Sequence, residues 1–550
     1  MARASGEERG SKPRSTSAAT ADFLAVGVLA AITGAAAATF RDYGLGWDDY
    51  THAQYGELLL ALFQSGFTDR RAFTFVNLYM YGGGFDMLAA LLAKALPLGL
   101  FETRRLVGAA VGIVGLAVTW RAGRRIGGPV GGLIALVLLA TCPLYYGHMF
   151  INAKDGPFAA TSALLLLGLV RSIEEYPRPT PASVALFGVG LGLGVGSRVI
   201  GAMAAIYAGA ALALIVGVEA RKSGWRSTMG RLGHFVIRLL PGLLIGYLIM
   251  GLVWPWAVVD PLNPLRSLEY FAVFFEKPWK ELFGGMLLPV PEMPRSYVPT
   301  LFALQTPEIF LALTGAGIVC VIIAIMRGDQ PPSRRAALLT VAAAALLPIA
   351  VPLITRPALY NGIRHFVFVM PPLAVLGGFA GATLFEWLVA RGRLTAAAGI
   401  LALGAAVALP VSEIVRLHPY QYTYFNRIAG GVAGADERYM LDYWGLSLKQ
   451  AAEALRARLA ERHETPPASR PWKIAVCGPH PPAEVALGSD FATSWDAKGA
   501  DFALMLGEFY CATFDAPVLA EVVREGVVYA RVYDLRGRSF DSLFTIPPVQ

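Results

Sequence analysis

Eleven long apolar runs, separated mostly by short basic loops, fix the environment in which this chain can fold. A run of about 20 apolar residues is the length that crosses the hydrocarbon of a bilayer as a helix. The runs are read at 21–40, 105–121, 128–146, 156–171, 182–197, 200–218, 235–253, 303–326, 336–354, 365–388 and 394–412. Composition agrees: of 550 residues, 55% are hydrophobic and 16% charged, where soluble domains carry about 25% charge. Disorder, a coiled coil and an ordinary soluble enzyme are excluded. The formal charge of +8 belongs to membrane topology and anionic lipid rather than to nucleic acid, which is not an expected partner.

Loop charge orients the spans. The short loops at 121–125, 171–178, 221–231, 327–335 and 391–393 hold 14 Lys and Arg, whereas those near 147–155, 198 and 355–364 hold only 4. Basic loops stay on the cytoplasmic side. The stretch 85–101 is short and interrupted by Asp86 and Lys94, so it is read as a helix at the outer interface. The predicted organisation is a disordered cytoplasmic tail (1–20), a polytopic helical membrane domain (21–412) and a small outer α/β domain (413–550). Within the last, Ser447–Glu464 reads as an amphipathic helix, and 472–477, 501–506 and 527–533 as strands. Cys477 and Cys511 share this oxidising side; the sequence leaves open whether they meet. No fixed-period repeat, zinc-type histidine spacing or phosphate loop is present.

The topology puts three polar clusters at one membrane face: Trp47-Asp48-Asp49-Tyr50-Thr51-His52, His148 to Pro157, and Arg356 to His365. Carboxylates at a lipid boundary are costly unless solvated, paired or used. Asp48, Asp49 and Asp155 are therefore candidates to deprotonate a hydroxyl, and Asp48 with Asp155 to hold a divalent metal if one takes part. Lys154, Arg198, Arg356 and Arg364 are candidates to grip a phosphate. His52, Asn152, Asn361 and His365, with Tyr297 from the large outer loop, are the candidate substrate contacts. Spacing alone leaves plainer readings open. Asp48 and Asp49 suit a helix N-cap, Asp155 a turn before Gly-Pro, and basic residues at helix ends snorkel to headgroups. Trp254, Trp256, Tyr270 and Trp279 fit an interfacial aromatic belt as well as a sugar platform.

These motifs resemble, in order and over roughly residues 21–450, the protein O-mannosyltransferase family. Trp47-Asp48-Asp49-Tyr50-Thr51-His52-Ala53-Gln54-Tyr55-Gly56-Glu57 resembles its first outer loop, with Asp-Asp where the family usually has Asp-Glu. Asn152-Ala-Lys154-Asp155-Gly-Pro157 resembles its second outer loop. Arg295 to Pro307 resembles the aromatic stretch leading into a later span, and Asn361-Gly-Ile-Arg364-His365 through Pro371-Pro372 its Arg-His…Pro-Pro signature. His418 to Asn426 and Leu441-Asp442-Tyr443-Trp444-Gly445 resemble the start of the outer domain in bacterial members.

The resemblance implies a GT-C-like fold with about eleven transmembrane helices, akin to the lipid A 4-amino-4-deoxy-L-arabinose transferase, and a location in the bacterial inner membrane with the outer domain periplasmic. It implies transfer of a sugar from a polyprenyl-phosphate donor to a hydroxyl on a lipid, glycan or protein. Asp48 would then activate the acceptor, Asp49 support it, and Asp155 orient the acceptor or share a metal; Arg364 and Arg198, with Lys154 behind them, would contact phosphate. A Lys-Pro phosphate motif of the related transferase has no counterpart in Phe75-Val-Asn77-Leu-Tyr79-Met-Tyr81. One base and direct attack predict inversion at the sugar carbon. The competing readings are a transporter or lipid flippase, and a non-catalytic membrane scaffold.

Overall fold

A computed structural model describes residues 14–272, 274, 279–539 and 543–546. Nine of its helices are long and apolar enough to cross a membrane. One of them, Leu100–Ala140, is a pair of legs folded on each other. Gly127 and Gly128 leave helical geometry, Gly128 with φ +70°, and Pro129 opens the second leg, the position where a missing N–H costs nothing. The legs touch closely. A Cβ on Gly132 would fall 2.8 Å from Arg124 Cβ and 2.9 Å from Trp120 O. Counting both legs and the shorter apolar helix Pro181–Ser197, eleven apolar helical segments make up the bundle among the described residues.

Pro181–Ser197 explains why a short, glycine-rich segment is tolerated there. It lies between Asp155–Glu174 and Trp225–Val253. A Cβ on Gly190 would sit 2.6 Å from Leu165 Cα, and one on Gly188 2.5 Å from Gly242 O. Small residues let backbones approach where apolar surface alone gives no drive to associate in lipid. The outermost helices, Trp225–Val253 and Arg393–Arg416, keep Leu248, Ile237, Leu394 and Leu401 exposed, faces that only hydrocarbon satisfies.

Three expected boundaries change. The span 303–326 breaks at Thr306-Pro307 into Tyr297–Gln305 and Glu308–Arg327, because Pro307 has no N–H to continue the helix. The span 128–146 breaks at the extended Cys142, and Pro143 begins a new helix, Pro143–Ile151. Of the expected disordered tail, residues 14–20 are the first turns of the helix Arg14–Thr39; 1–13 lie outside the described residues.

Charge gathers at the two ends of the bundle. At one end Arg124 pairs with Asp22 (2.8 Å), Arg231 with Glu219 (3.1 Å), and Arg125 and Arg334 both with Glu174. These are the basic loops of the sequence. At the other end the loops carrying Asp48, Asp155, Arg198 and Arg364 come together. The short helices Asp49–Gln64 and Gly84–Ala93 pack on each other at this end.

The large outer loop contains a hairpin, β1 (Lys280–Phe283) and β2 (Met286–Pro289), turned by Gly284 and Gly285, both at positive φ. Toward the C-terminus, β3 (Trp472–Cys477), β4 (Phe491–Ser494), β5 (Phe502–Leu506), β7 (Val518–Arg524) and β8 (Val527–Asp534) form a mixed sheet in the order β4-β3-β5-β8-β7. A separate pair joins β6 (Thr513–Phe514) to β9 (Phe544–Ile546). The amphipathic helix Leu448–Glu461 lays Ala451, Ala452, Leu455 and Leu459 on the sheet. Cys477 and Cys511 are disulfide-bonded.

Candidate active site

Asp48 occupies the N-cap position of Asp49–Gln64, yet its side chain makes no capping bond. It faces Lys154 Nζ at 3.4 Å and stays 42% exposed at the mouth of a small cleft. Desolvation alone would raise its pKa, but Lys154 and Arg364 outweigh that and hold the carboxyl below the usual carboxylate range. The cleft is lined by Gly46, Asp48, Asp49, His52, Lys154 and Trp444, among others.

Asp49 is built differently. It is buried, takes the Gly46 N–H at 2.8 Å, and grips Arg105 through both oxygens at 2.8 and 2.6 Å. Arg105 also donates to Gly44 O at 2.6 Å and Phe150 O at 3.3 Å. This bidentate pair fastens the loop before Asp48 to the helix behind it. His52, one helical turn after Asp48, brings Nδ1 to 2.6 Å from Asp86 Oδ2, while Arg104 Nη2 donates to Asp86 Oδ1 at 2.6 Å.

Asp155 starts the helix Asp155–Glu174. Asn152 shapes the turn: its side-chain oxygen accepts from the N–H groups of Lys154 (3.0 Å) and Asp155 (2.7 Å), and its amide donates to Asp155 Oδ2 (2.8 Å). The turn reading of Asp155 is therefore part of the answer. The carboxylate itself lies between two guanidiniums, with Arg198 Nη2 at 2.7 Å and Arg364 Nη1 at 3.7 Å. Lys154 and Arg198 both sit over the Tyr81 ring, at 5.2 and 5.3 Å, and Arg364 lies over Tyr360 and Trp444, at 5.2 and 5.4 Å. His365 is half-buried, edge-on to Tyr360. Three cations thus surround two carboxylates.

Not all guanidinium donors are used. Arg198 Nε, Arg364 Nε and Arg364 Nη1 are buried without a hydrogen-bond partner among the described residues. Such groups are costly to leave unsatisfied. An apolar groove is walled by Phe158, Leu165, Ile200, Tyr207 and Phe368. Three of these walls continue a charged segment: Phe158 follows Asp155 by one turn, Ile200 follows Arg198, and Phe368 follows Arg364.

The remaining candidates lie elsewhere. Arg356, exposed and at φ +47°, bonds Met293 O at 3.2 Å, outside the cation cluster. Tyr297 and Asn361 gather around Glu281 on β1. The Tyr297 hydroxyl donates to it at 3.0 Å, as does the N–H of Asn361, and the N–H of Gly362 reaches it at 3.4 Å. Burial outweighs these donors and pushes the Glu281 carboxyl up to about 7. The oxygens of Asp48 and Asp155 face Lys154, Arg198 and Asn152. Among the described residues no three His, Cys, Asp or Glu side chains are close enough to hold an ion.

Sequence reasoning passed over Arg104, Arg105, Asp86 and Glu281. The signal was present for three of them, since Asp86, Arg104 and Arg105 are charges at or inside apolar stretches and so need partners.

Residues 90–254 match the family described as dolichyl-phosphate-mannose-protein mannosyltransferase. No curated protein sequence matches the chain. Among solved structures, apo ArnT from Cupriavidus metallidurans superposes with a TM-score of 0.50 at 16% identity, over 94% of this chain and 98% of that one. The same protein bound to undecaprenyl phosphate gives 0.48 at 14% identity, over 94% and 98%. The archaeal oligosaccharyltransferase AglB from Archaeoglobus fulgidus, in complex with an inhibitory peptide and a dolichol-phosphate, gives 0.49 at 13%, over 89% and 70%. The polytopic, GT-C-like fold expected from the sequence is the fold the chain has, with the ArnT architecture along nearly its whole length.

Proposed function

We propose that this protein is a membrane glycosyltransferase that moves one sugar from a polyprenyl-phosphate donor to a hydroxyl acceptor on a lipid, glycan or protein. The observation that carries the reading is the set of buried guanidinium donors of Arg198 and Arg364 with no hydrogen-bond partner among the described residues, on segments that run within four residues into the walls of an apolar groove. A polyprenyl phosphate has that anatomy: a hydrocarbon chain that stays in the bilayer and a charged head that needs donors. The family matched by residues 90–254 is described by dolichyl-phosphate-linked mannose, a donor of this class.

The chemistry follows from the geometry. Asp48, kept ionised, takes the hydrogen bond of the attacking hydroxyl. The hydroxyl oxygen attacks the anomeric carbon as the bond to phosphate breaks, on the opposite face, which inverts that carbon. Arg198 and Arg364 hold the phosphate as its charge grows, the place where preorganised donors lower a barrier. Asp155 holds Arg198 in position, and Lys154 bridges the phosphate side to Asp48. Asp49 acts as a positioning residue through Arg105. Tyr297 and Asn361 set the loop that carries Arg364.

The basic end of the bundle faces the cytoplasm and the acid–cation end faces outward, by the positive-inside asymmetry of the loops. The catalytic domain is 21–412 and the outer domain 413–550, in a bacterial inner membrane. In reconstituted vesicles supplied with radiolabelled polyprenyl-phosphate sugars, Asp48→Asn is expected to lower turnover about 10²–10³-fold with donor KM within threefold, the range of a lost preorganised electrostatic partner of the reacting group. Normal turnover by this variant refutes the assignment.

A further inference from the structure

We propose that His52 is the residue that receives the acceptor's proton, with Asp86 as its positioning partner, an inference that rests on the transferase reading and adds a second catalytic side chain to it. His52 projects from the same helix face as Asp48, one turn later, and lines the same cleft. Its ring is buried, Nδ1 lies 2.6 Å from Asp86, and Nε2 is buried with no hydrogen-bond partner among the described residues. Asp86 is itself anchored by Arg104 at 2.6 Å. As Asp86 is an ionised acceptor, Nδ1 carries the hydrogen it receives, and Nε2 keeps a lone pair that no described residue engages. A carboxylate behind an imidazole fixes its tautomer and stabilises the imidazolium that forms.

Two bases in one cleft divide the work. Asp48 faces Lys154 and is held strongly ionised; it accepts a hydrogen bond well but is a poor place to leave a proton. His52 suits that role. As the anomeric carbon–oxygen bond to phosphate breaks and the bond to the acceptor oxygen forms, the hydroxyl proton ends on His52 Nε2. The electron pair of the broken bond leaves with the polyprenyl phosphate. The imidazolium then returns its proton to water at the cleft mouth. The charged groups around His52 are Asp86 with Arg104 behind it, Asp48 with Lys154, and the Asp49–Arg105 pair. The two pairs are internally neutralised, which leaves Asp86 as the partner in direct contact with the ring.

The test uses the full chain in vesicles with a polyprenyl-phosphate sugar donor that the wild type uses. His52→Gln is expected to lower kcat by about 10²–10³-fold, to keep donor KM within about threefold, and to abolish the acid limb of the kcat–pH profile. Asp86→Asn is expected to move that limb to lower pH, since the imidazolium loses its counter-charge. His52→Ala, which leaves a ring-sized hole, is expected to regain at least tenfold in rate with added imidazole. Rescue reports only on folded, donor-binding protein, so a share of misfolded variant does not mask it. Wild-type kcat and an unchanged acid limb in His52→Gln would overturn the inference, as would absence of rescue in donor-competent His52→Ala. If Asp48→Asn is dead while His52→Gln is normal, only this inference falls. If the wild type transfers no sugar from any polyprenyl-phosphate donor, the transferase reading falls with it.

Discussion

Neutralising Asp49 separates structure from chemistry at the paired acids. Asp49→Asn keeps the acceptor for the Gly46 N–H but removes the negative charge from a buried guanidinium that now has both carboxylate oxygens at 2.8 and 2.6 Å. Two unit charges about 4 Å apart interact by about 4 kcal/mol at an effective dielectric of 20. Breaking one side of a buried pair costs about 3–5 kcal/mol, because the survivor stays charged without compensation. Arg105 keeps only two carbonyls, Gly44 O and Phe150 O. The expected loss for Asp49→Asn is therefore about 3–5 kcal/mol of stability. The double variant Asp49→Leu with Arg105→Met should recover most of it, since a buried pair replaced by apolar residues of similar volume is often neutral. The assay is denaturant unfolding in detergent, followed by tryptophan fluorescence, comparing the wild type, Asp49→Asn and the double variant. Turnover is measured beside it at a temperature where each protein is folded. A fully stable Asp49→Asn that transfers no sugar would refute the positioning role and return Asp49 to the chemistry.

Three further outcomes are expected. Arg198→Gln removes a phosphate donor and strips buried Asp155 of its partner at 2.7 Å; kcat/KM should fall about 10²–10³-fold, and an unchanged value in the vesicle assay would refute the phosphate assignment. Replacing Cys477 and Cys511 by Ser opens a loop of 34 residues, which should destabilise the sheet region by roughly 3–4 kcal/mol, seen as faster amide exchange in β3 and β5, while donor KM stays unchanged. Glu281, with its carboxyl at about 7 in the fold against about 4.3 in the open chain, binds more protons folded than unfolded between these values. Stability should therefore fall as pH rises from about 4.5 to 7 and level off above, with Glu281→Gln flattening that slope in denaturant midpoints.

The fold was legible because its strongest signal is periodic in nothing and needs no partner. A run of apolar residues crosses hydrocarbon by itself. Prolines 307 and 143 shifted ends, and the glycine pair at 127–128 folded one long helix into two. The three polar clusters could be placed on one face by counting spans, and the structure indeed puts Asp48, Lys154, Asp155, Arg198 and Arg364 side by side. Counting spans says nothing of direction within a loop. Arg356 turns away through a left-handed backbone, and Tyr297 and Asn361 close on Glu281 instead. The buried pairs were hidden for a different reason: Asp49 finds Arg105 56 residues away and His52 finds Asp86 34 residues away. Charges interrupting apolar stretches announce that partners exist without saying which.

Trp444 lies beyond the last long helix, in the segment that leads to the sheet, yet its indole rests on the Arg364 guanidinium and walls the Asp48 cleft. A chain cut after Arg416 would keep every bilayer crossing and lose a side of the reaction chamber. Any search for a minimal catalyst must therefore retain the hydrophilic quarter of the polypeptide that follows.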